Sequence, residues 1–121
     1  RRVCAGENPL HVWGDGRSTR AFLFVEDFVR GLLMTAERYP KADPVNLGSS
    51  EEVSIRVLAE TILKTAGLKA KIIFDPSKPS GQPRRASDTA KAARLIGFMP
   101  KIGLEEGLRR TVEWYRANVK R

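Results

Sequence analysis

A chain of 121 residues, 41% hydrophobic and 30% charged, has the size of one domain and the balance of an ordinary soluble globular protein. No apolar run approaches the ~20 residues that cross a bilayer and no signal-peptide pattern is present. One cysteine, Cys4, and one histidine, His11, exclude an internal disulfide, fit a reducing cytoplasm and argue against a zinc site.

The net charge of +8 raises nucleic acid as a partner, yet residues 1–60 hold 8 Lys/Arg against 9 Asp/Glu, and residues 61–121 hold 14 against 5. The excess is spread over the second half without arginine or lysine runs interleaved with aromatics, and no nucleic-acid module signature is present. A solvated basic face accounts for that spread. A localised anion pocket is the sharper alternative, and a basic polyanion-binding module the alternative of another class.

The chain opens on Arg1-Arg2 with no methionine, which suggests a piece of a longer protein. LHVW, residues 10–13, alternates and runs into the turn-like Gly14-Asp15-Gly16, so it reads as a short strand. RAFLFV, residues 20–25, is again extended. From Glu26 the period changes: Val25, Phe28, Val29, Leu32, Leu33 and Ala36 share one helical face, and the helix stops before Pro40. PVNLGS, residues 44–49, is expected to be a strand. Ser54 can cap a second helix that turns Ile55, Leu58, Ala59, Ile62, Leu63 and Ala66 inward and ends at Gly67. AKIIFD, residues 70–75, is a strand, and PSKPSGQP, residues 76–83, a loop. Asp88 is placed as the cap of a short helix ending near Gly97. Leu104, Leu108, Val112 and Tyr115 set the inward face of a last helix, with Trp114 also expected in its packing. The fold class is α+β, an α/β fragment with short strands and about four helices.

Catalytic chemistry is hard to find. Gly14-Asp15-Gly16 lacks a third glycine and a following helix, so it is a turn rather than a dinucleotide fingerprint, and there is no P-loop. His11 sits in a strand, where a structural role is the simpler reading. No serine occupies a nucleophile elbow, no Cys–His catalytic motif is legible, and neither Tyr39 nor Tyr115 has a lysine four positions on. On its own the chain is expected to be inactive, with no catalytic, cofactor-binding or metal-binding residue.

The remaining signal is GQPRRASD, residues 81–88. Pro83 stiffens the chain just ahead of Arg84 and Arg85, which lowers the ordering cost of binding. A guanidinium fork suits the oxygens of a diphosphate bidentately. Neighbouring residues of an extended segment point opposite ways, so one arginine of the pair is expected to face a ligand. Arg20 leaves a polar loop directly into an apolar strand and is a second candidate. Trp13 can pack one ring face and offer its edge to a nucleotide.

In order, the stretches VWGDGRSTRAFLFVEDFVRGL, PVNLGSSEEVSIRVLAETIL and IIFDPSKPSGQPRRASDTAKAARLIGFMPKIGLEEGLRRTVEWYR cover roughly residues 10–118. Together they resemble the C-terminal part of extended short-chain dehydrogenases/reductases, the NAD(P)-dependent sugar-nucleotide epimerases and dehydratases. The GDP-L-fucose synthase branch is the nearest likeness, through VWG, EEVSI and FDPSKPSGQPRR, with UDP-sugar 4-epimerases and decarboxylases as the alternative. Ala21 and Ser80 depart from the fucose-synthase pattern, which usually has Glu and Asp there. The resemblance implies that residues 1–121 form a small sugar-nucleotide-binding domain whose Rossmann domain is missing, and that residues about 22–48 pack on that domain. It also implies a nucleotide-diphosphate sugar as ligand, with Trp13, Arg20 and Arg85 near the diphosphate and Arg84 beside them. NAD or NADP belongs to the full-length enzyme and is not expected on this chain; a homodimer is a further expectation.

Overall fold

The computed structural model describes residues 1–119, and its elements follow the period changes of the sequence. They are β1 (Leu10–Trp13), β2 (Thr19–Ala21), α1 (Val25–Arg38), β3 (Glu52–Ser54), α2 (Ile55–Thr65), β4 (Ile72–Asp75), β5 (Arg84–Arg85), α3 (Ala90–Ile96) and α4 (Leu104–Asn118). β1 and β4 form a parallel pair in the register Leu10↔Ile72 to Trp13↔Asp75. A second sheet has the order β3-β2-β5, with β3 antiparallel and β5 parallel to β2.

Two apolar clusters hold these elements. Val3, Leu10, Leu63, Ala66 and Val112 bring β1, α2 and α4 together, with Ile72 of β4 against them. The inward faces expected for α2 and α4 are therefore the ones used, and Ser54 caps α2 as expected, its Oγ accepting from the Val57 N–H at 3.2 Å. The second cluster is Ala92, Ile96 and Phe98, covered by Leu23, Met34, Val45 and Leu47.

The stripe Val25, Phe28, Val29, Leu32 and Leu33 of α1, read from the sequence as one helical face, is exposed within this chain. α1 is instead held through its opposite side. Buried Asp27 accepts the Lys101 and Ile102 N–H groups at 2.8 Å each and pairs with Arg30 at 2.7 Å, while Arg38 donates to the Ile96 carbonyl. Gly31 lies on this side because a Cβ there would come within 2.9 Å of the Phe98 ring. The segment 44–49 is not a strand. It has no strand to pair with among the described residues, and Val45 and Leu47 pack on the second cluster instead. The strand expected over 20–25 ends at Ala21, because its partner β3 begins at Glu52, opposite Ala21. Asp88 stands one position before the cap of α3. Thr89 occupies the cap position without a side-chain bond, and Asp88 Oδ1 accepts from the Ala90 N–H at 2.9 Å. Trp114 is also exposed rather than packed, since the adjacent Tyr115 takes the inward side of α4.

Candidate functional site

The site is built on β2 and its two neighbours. The loop before β2 is drawn tight against the 74–80 segment. Asp15 Oδ1 accepts from the Arg17 N–H at 2.9 Å, and a Cβ on Gly16 (φ 79°) would stand 2.5 Å from the Phe74 ring. Glycine is required at 16 both for its positive φ and for that approach. The same closeness accounts for this turn without a phosphate, since protein atoms fill the space beside it.

Arg20 follows in β2. Its guanidinium is part-buried and donates to the carbonyls of Thr19 at 2.6 Å and Ser80 at 3.4 Å. These bonds aim Arg20 without neutralising it. Across the parallel pairing Arg20↔Arg85, β5 sets the second arginine alongside, at the ~4.8 Å spacing of neighbouring strands. Arg85 has no carboxylate or carbonyl partner among the described residues.

Arg20 and Arg85 open onto one cavity of about 290 Å³, walled by Phe22, Leu23, Leu47, Ser49 and Ser87. Two cations side by side repel each other, and an anion between them relieves that repulsion while accepting charge-assisted hydrogen bonds. The apolar wall and the two serine hydroxyls are what an organic phosphate needs next to its charged end.

Arg84 faces the other way, as alternation requires. Its Nε lies 3.1 and 3.0 Å from the two carboxylate oxygens of Glu52, and Thr19 Oγ1 donates to the same carboxylate at 3.2 Å. The hydrogen bond from Arg84 holds the Glu52 carboxyl below its ordinary range and raises the Arg84 guanidinium in turn. Trp13, 64% exposed at the end of β1, is neither core nor part of the cavity wall. Phe22, Leu47, Ser49, Ser87 and Glu52 were not picked out from the sequence. Leu47 and Ser49 join the wall only because residues 47–49 pass beside 87–89 in space, and Glu52 meets Arg84 across 32 positions. No cluster of His, Cys, Asp or Glu among the described residues could hold a metal ion, and no helix there is long and apolar enough to cross a membrane.

The chain as a whole has counterparts among known proteins. The family model described as GDP-mannose 4,6 dehydratase matches residues 1–111, and the chain belongs to that family of sugar-nucleotide epimerases and dehydratases. It is similar to a putative GDP-L-fucose synthase 2 of Arabidopsis thaliana, 43% identical over 89% of the chain and 33% of the relative. In three dimensions it superposes on a UDP-glucose 4-epimerase of Thermotoga maritima solved with UDP-glucose, with a TM-score of 0.89, 28% identity, and coverage of 98% of this chain and 38% of that one. It also superposes on a GDP-L-fucose synthetase of Naegleria fowleri bound to NADP, with a TM-score of 0.82, 34% identity, and coverage of 89% and 34%. The resemblance read from the ordered motifs, including the likeness to GDP-L-fucose synthases, is borne out. The chain spans about a third of the length of the curated relatives it matches.

Proposed function

We propose that this chain is the sugar-nucleotide-binding part of an NAD(P)-dependent, GDP-L-fucose synthase-like epimerase, dehydratase or reductase, and that Arg20 and Arg85 clamp the diphosphate of its substrate. The observation that carries the reading is the Arg20↔Arg85 pairing, which turns two guanidiniums without carboxylate partners toward one cavity. The diphosphate sits between them, Ser49 and Ser87 donate to its remaining oxygens, and Phe22, Leu23 and Leu47 take the apolar part of the ligand. Binding energy gathered at this remote end positions the sugar for chemistry performed elsewhere in the whole protein, where the nicotinamide cofactor is held. Arg84 is a supporting residue in this scheme and Trp13 lies at the site's margin. We also propose that residues about 22–48, with the open stripe of α1, pack on the cofactor-binding domain.

The close superposition on a UDP-glucose 4-epimerase favours a second reading, a UDP-sugar member of the same family. Titrating the chain with a GDP-sugar, a UDP-sugar and a single-stranded oligonucleotide, followed by amide chemical shifts, separates the possibilities. The reading requires a sugar nucleotide to bind more tightly than the oligonucleotide, and Arg85→Gln to weaken it at least about tenfold, the loss of one charge-assisted bond. Unchanged affinity in Arg85→Gln removes the clamp.

A further inference from the structure

Resting on that reading, we infer that Glu52 is a positioning residue for the anion site: through Arg84 it clasps β5 onto β2 and so holds Arg85 at the ligand. β5 has only two residues, Arg84 and Arg85, and lies at the edge of its sheet, paired with β2 alone. The whole segment 76–88 that carries it is exposed, so no apolar packing of its own fixes it in place. Arg20 and Asn46 donate to the carbonyls of Ser80 and Asp88 nearer its ends, and two kinds of contact act on the arginine pair itself. One is the backbone pairing, in which the Thr19 N–H donates to the Pro83 carbonyl at 2.9 Å. The other is the Glu52 carboxylate. It sits in β3, the opposite edge strand, facing Ala21 of β2, and reaches across β2 to take both Arg84 Nε contacts and the Thr19 hydroxyl. One carboxylate thus ties all three strands. Because adjacent side chains of an extended strand point to opposite sides, fixing Arg84 toward Glu52 fixes Arg85 toward Arg20 and the cavity.

The pair is lopsided, with Glu52 27% and Arg84 70% exposed. An ion pair that open contributes little to overall stability. Its consequence is local: it restricts an edge segment that would otherwise have to be ordered when the anion arrives.

Charge substitution separates this role from simple electrostatics by sign. Glu52→Gln removes a negative charge near an anion site, so a purely Coulombic effect tightens binding, whereas loss of the clasp weakens it. The experiment measures the affinity of the full chain for GDP, with UDP in parallel, together with hydrogen exchange of the Thr19 amide. Glu52→Gln is expected to weaken binding by about three- to fivefold, the range open to a single exposed ion pair, and to speed Thr19 exchange. Arg84→Gln is expected to do the same. The swap Glu52→Arg with Arg84→Glu keeps the net charge and is expected to restore both. Unchanged or tighter binding in Glu52→Gln, unchanged Thr19 exchange, or a swap that restores neither overturns the clasp. Arg85→Gln serves as the separate control. If Arg85→Gln weakens binding and Glu52→Gln does not, the clasp is wrong while the clamp stands; if Arg85→Gln leaves affinity intact, the clamp itself fails.

Discussion

Asp27 shows how a single side chain can join distant parts of this fold. It is 2% exposed, and burial by itself pushes a carboxyl toward its neutral form. The Arg30 guanidinium and the N–H groups of Ile102 and Lys101 outweigh that and hold Asp27 below its ordinary range. A depressed carboxyl adds stability above its unfolded value, about 3.9, and loses it as pH falls through the folded value. Asp27→Asn keeps the shape but removes the charge that two N–H groups and Arg30 share. Urea unfolding at pH 7 should find it less stable by about 2–4 kcal/mol, with the gap to the parent chain narrowing below pH ~4. A gap of equal size at pH 3 and pH 7 would show that shape, not charge, is what matters. Gly16 makes a different point about single residues. Its left-handed backbone alone costs an alanine about 1–2 kcal/mol, and the Phe74 ring at 2.5 Å must also move, carrying with it the stack of Arg56 on that ring. Gly67 has a similar φ of 64° with nothing within 4 Å of its added Cβ. Gly16→Ala is therefore expected to destabilise the chain clearly more than Gly67→Ala in thermal melts, and equal losses would leave Phe74 without the role given to it.

Among the elements, α1 and α2 carry the same apolar period, yet α2 buries its stripe and α1 does not: Leu33 is 62% exposed where Leu63 is 8% exposed. Burial of α1 runs instead through Asp27 and Gly31, residues that no hydrophobic pattern singles out. If the stripe of α1 is a surface for another domain, the double substitution Val29→Glu, Leu33→Glu should change unfolding free energy by no more than about 0.5–1 kcal/mol. It should also abolish any concentration-dependent association of the chain in sedimentation velocity. A loss of several kcal/mol would mean that the stripe is already packed within this chain. The contrast defines what sequence reading can reach here. Helix spans, the Ser54 cap, the inward faces of α2 and α4 and the strand at β4 are local properties, set by period and cap chemistry. What covers a stripe, or whether residues 44–49 find a strand partner, depends on groups distant in sequence, and no local pattern encodes it. The site divides in the same way. The ordered motifs point to Arg20 and Arg85 as candidates, whereas Glu52, Ser49 and Ser87 enter only through tertiary proximity.

For the molecule as a whole, the question is whether a net charge of +8 acts as a field or as a pocket. Ion pairing leaves the net charge unchanged but engages part of it locally: in the second half Lys64, Arg84, Lys91, Arg109 and Arg110 each lie within an ion pair. Glu106 alone is shared by Arg109 and Arg110, which hold its carboxyl down at about 2. These cations do not form a free stripe along which a polymer backbone could run, while Arg20 and Arg85 are left facing a cavity. The two arrangements respond differently to salt. A face that neutralises six or more phosphates loses about a thousandfold in affinity between 50 and 200 mM salt, because each neutralised phosphate releases counterions. A pocket holding one diphosphate on two arginines has few counterions to release, so its affinity should fall less than about tenfold over the same range. Isothermal titration of the chain with a GDP-sugar across that salt series should therefore give a shallow slope if the proposed clamp holds, and an oligonucleotide of about 20 residues should fail to displace the nucleotide at 200 mM salt. A steep slope shared by nucleotide and oligonucleotide would return the basic second half to the role of polyanion surface, and the pairing of Arg20 with Arg85 would then be one contact of many rather than the centre of the site.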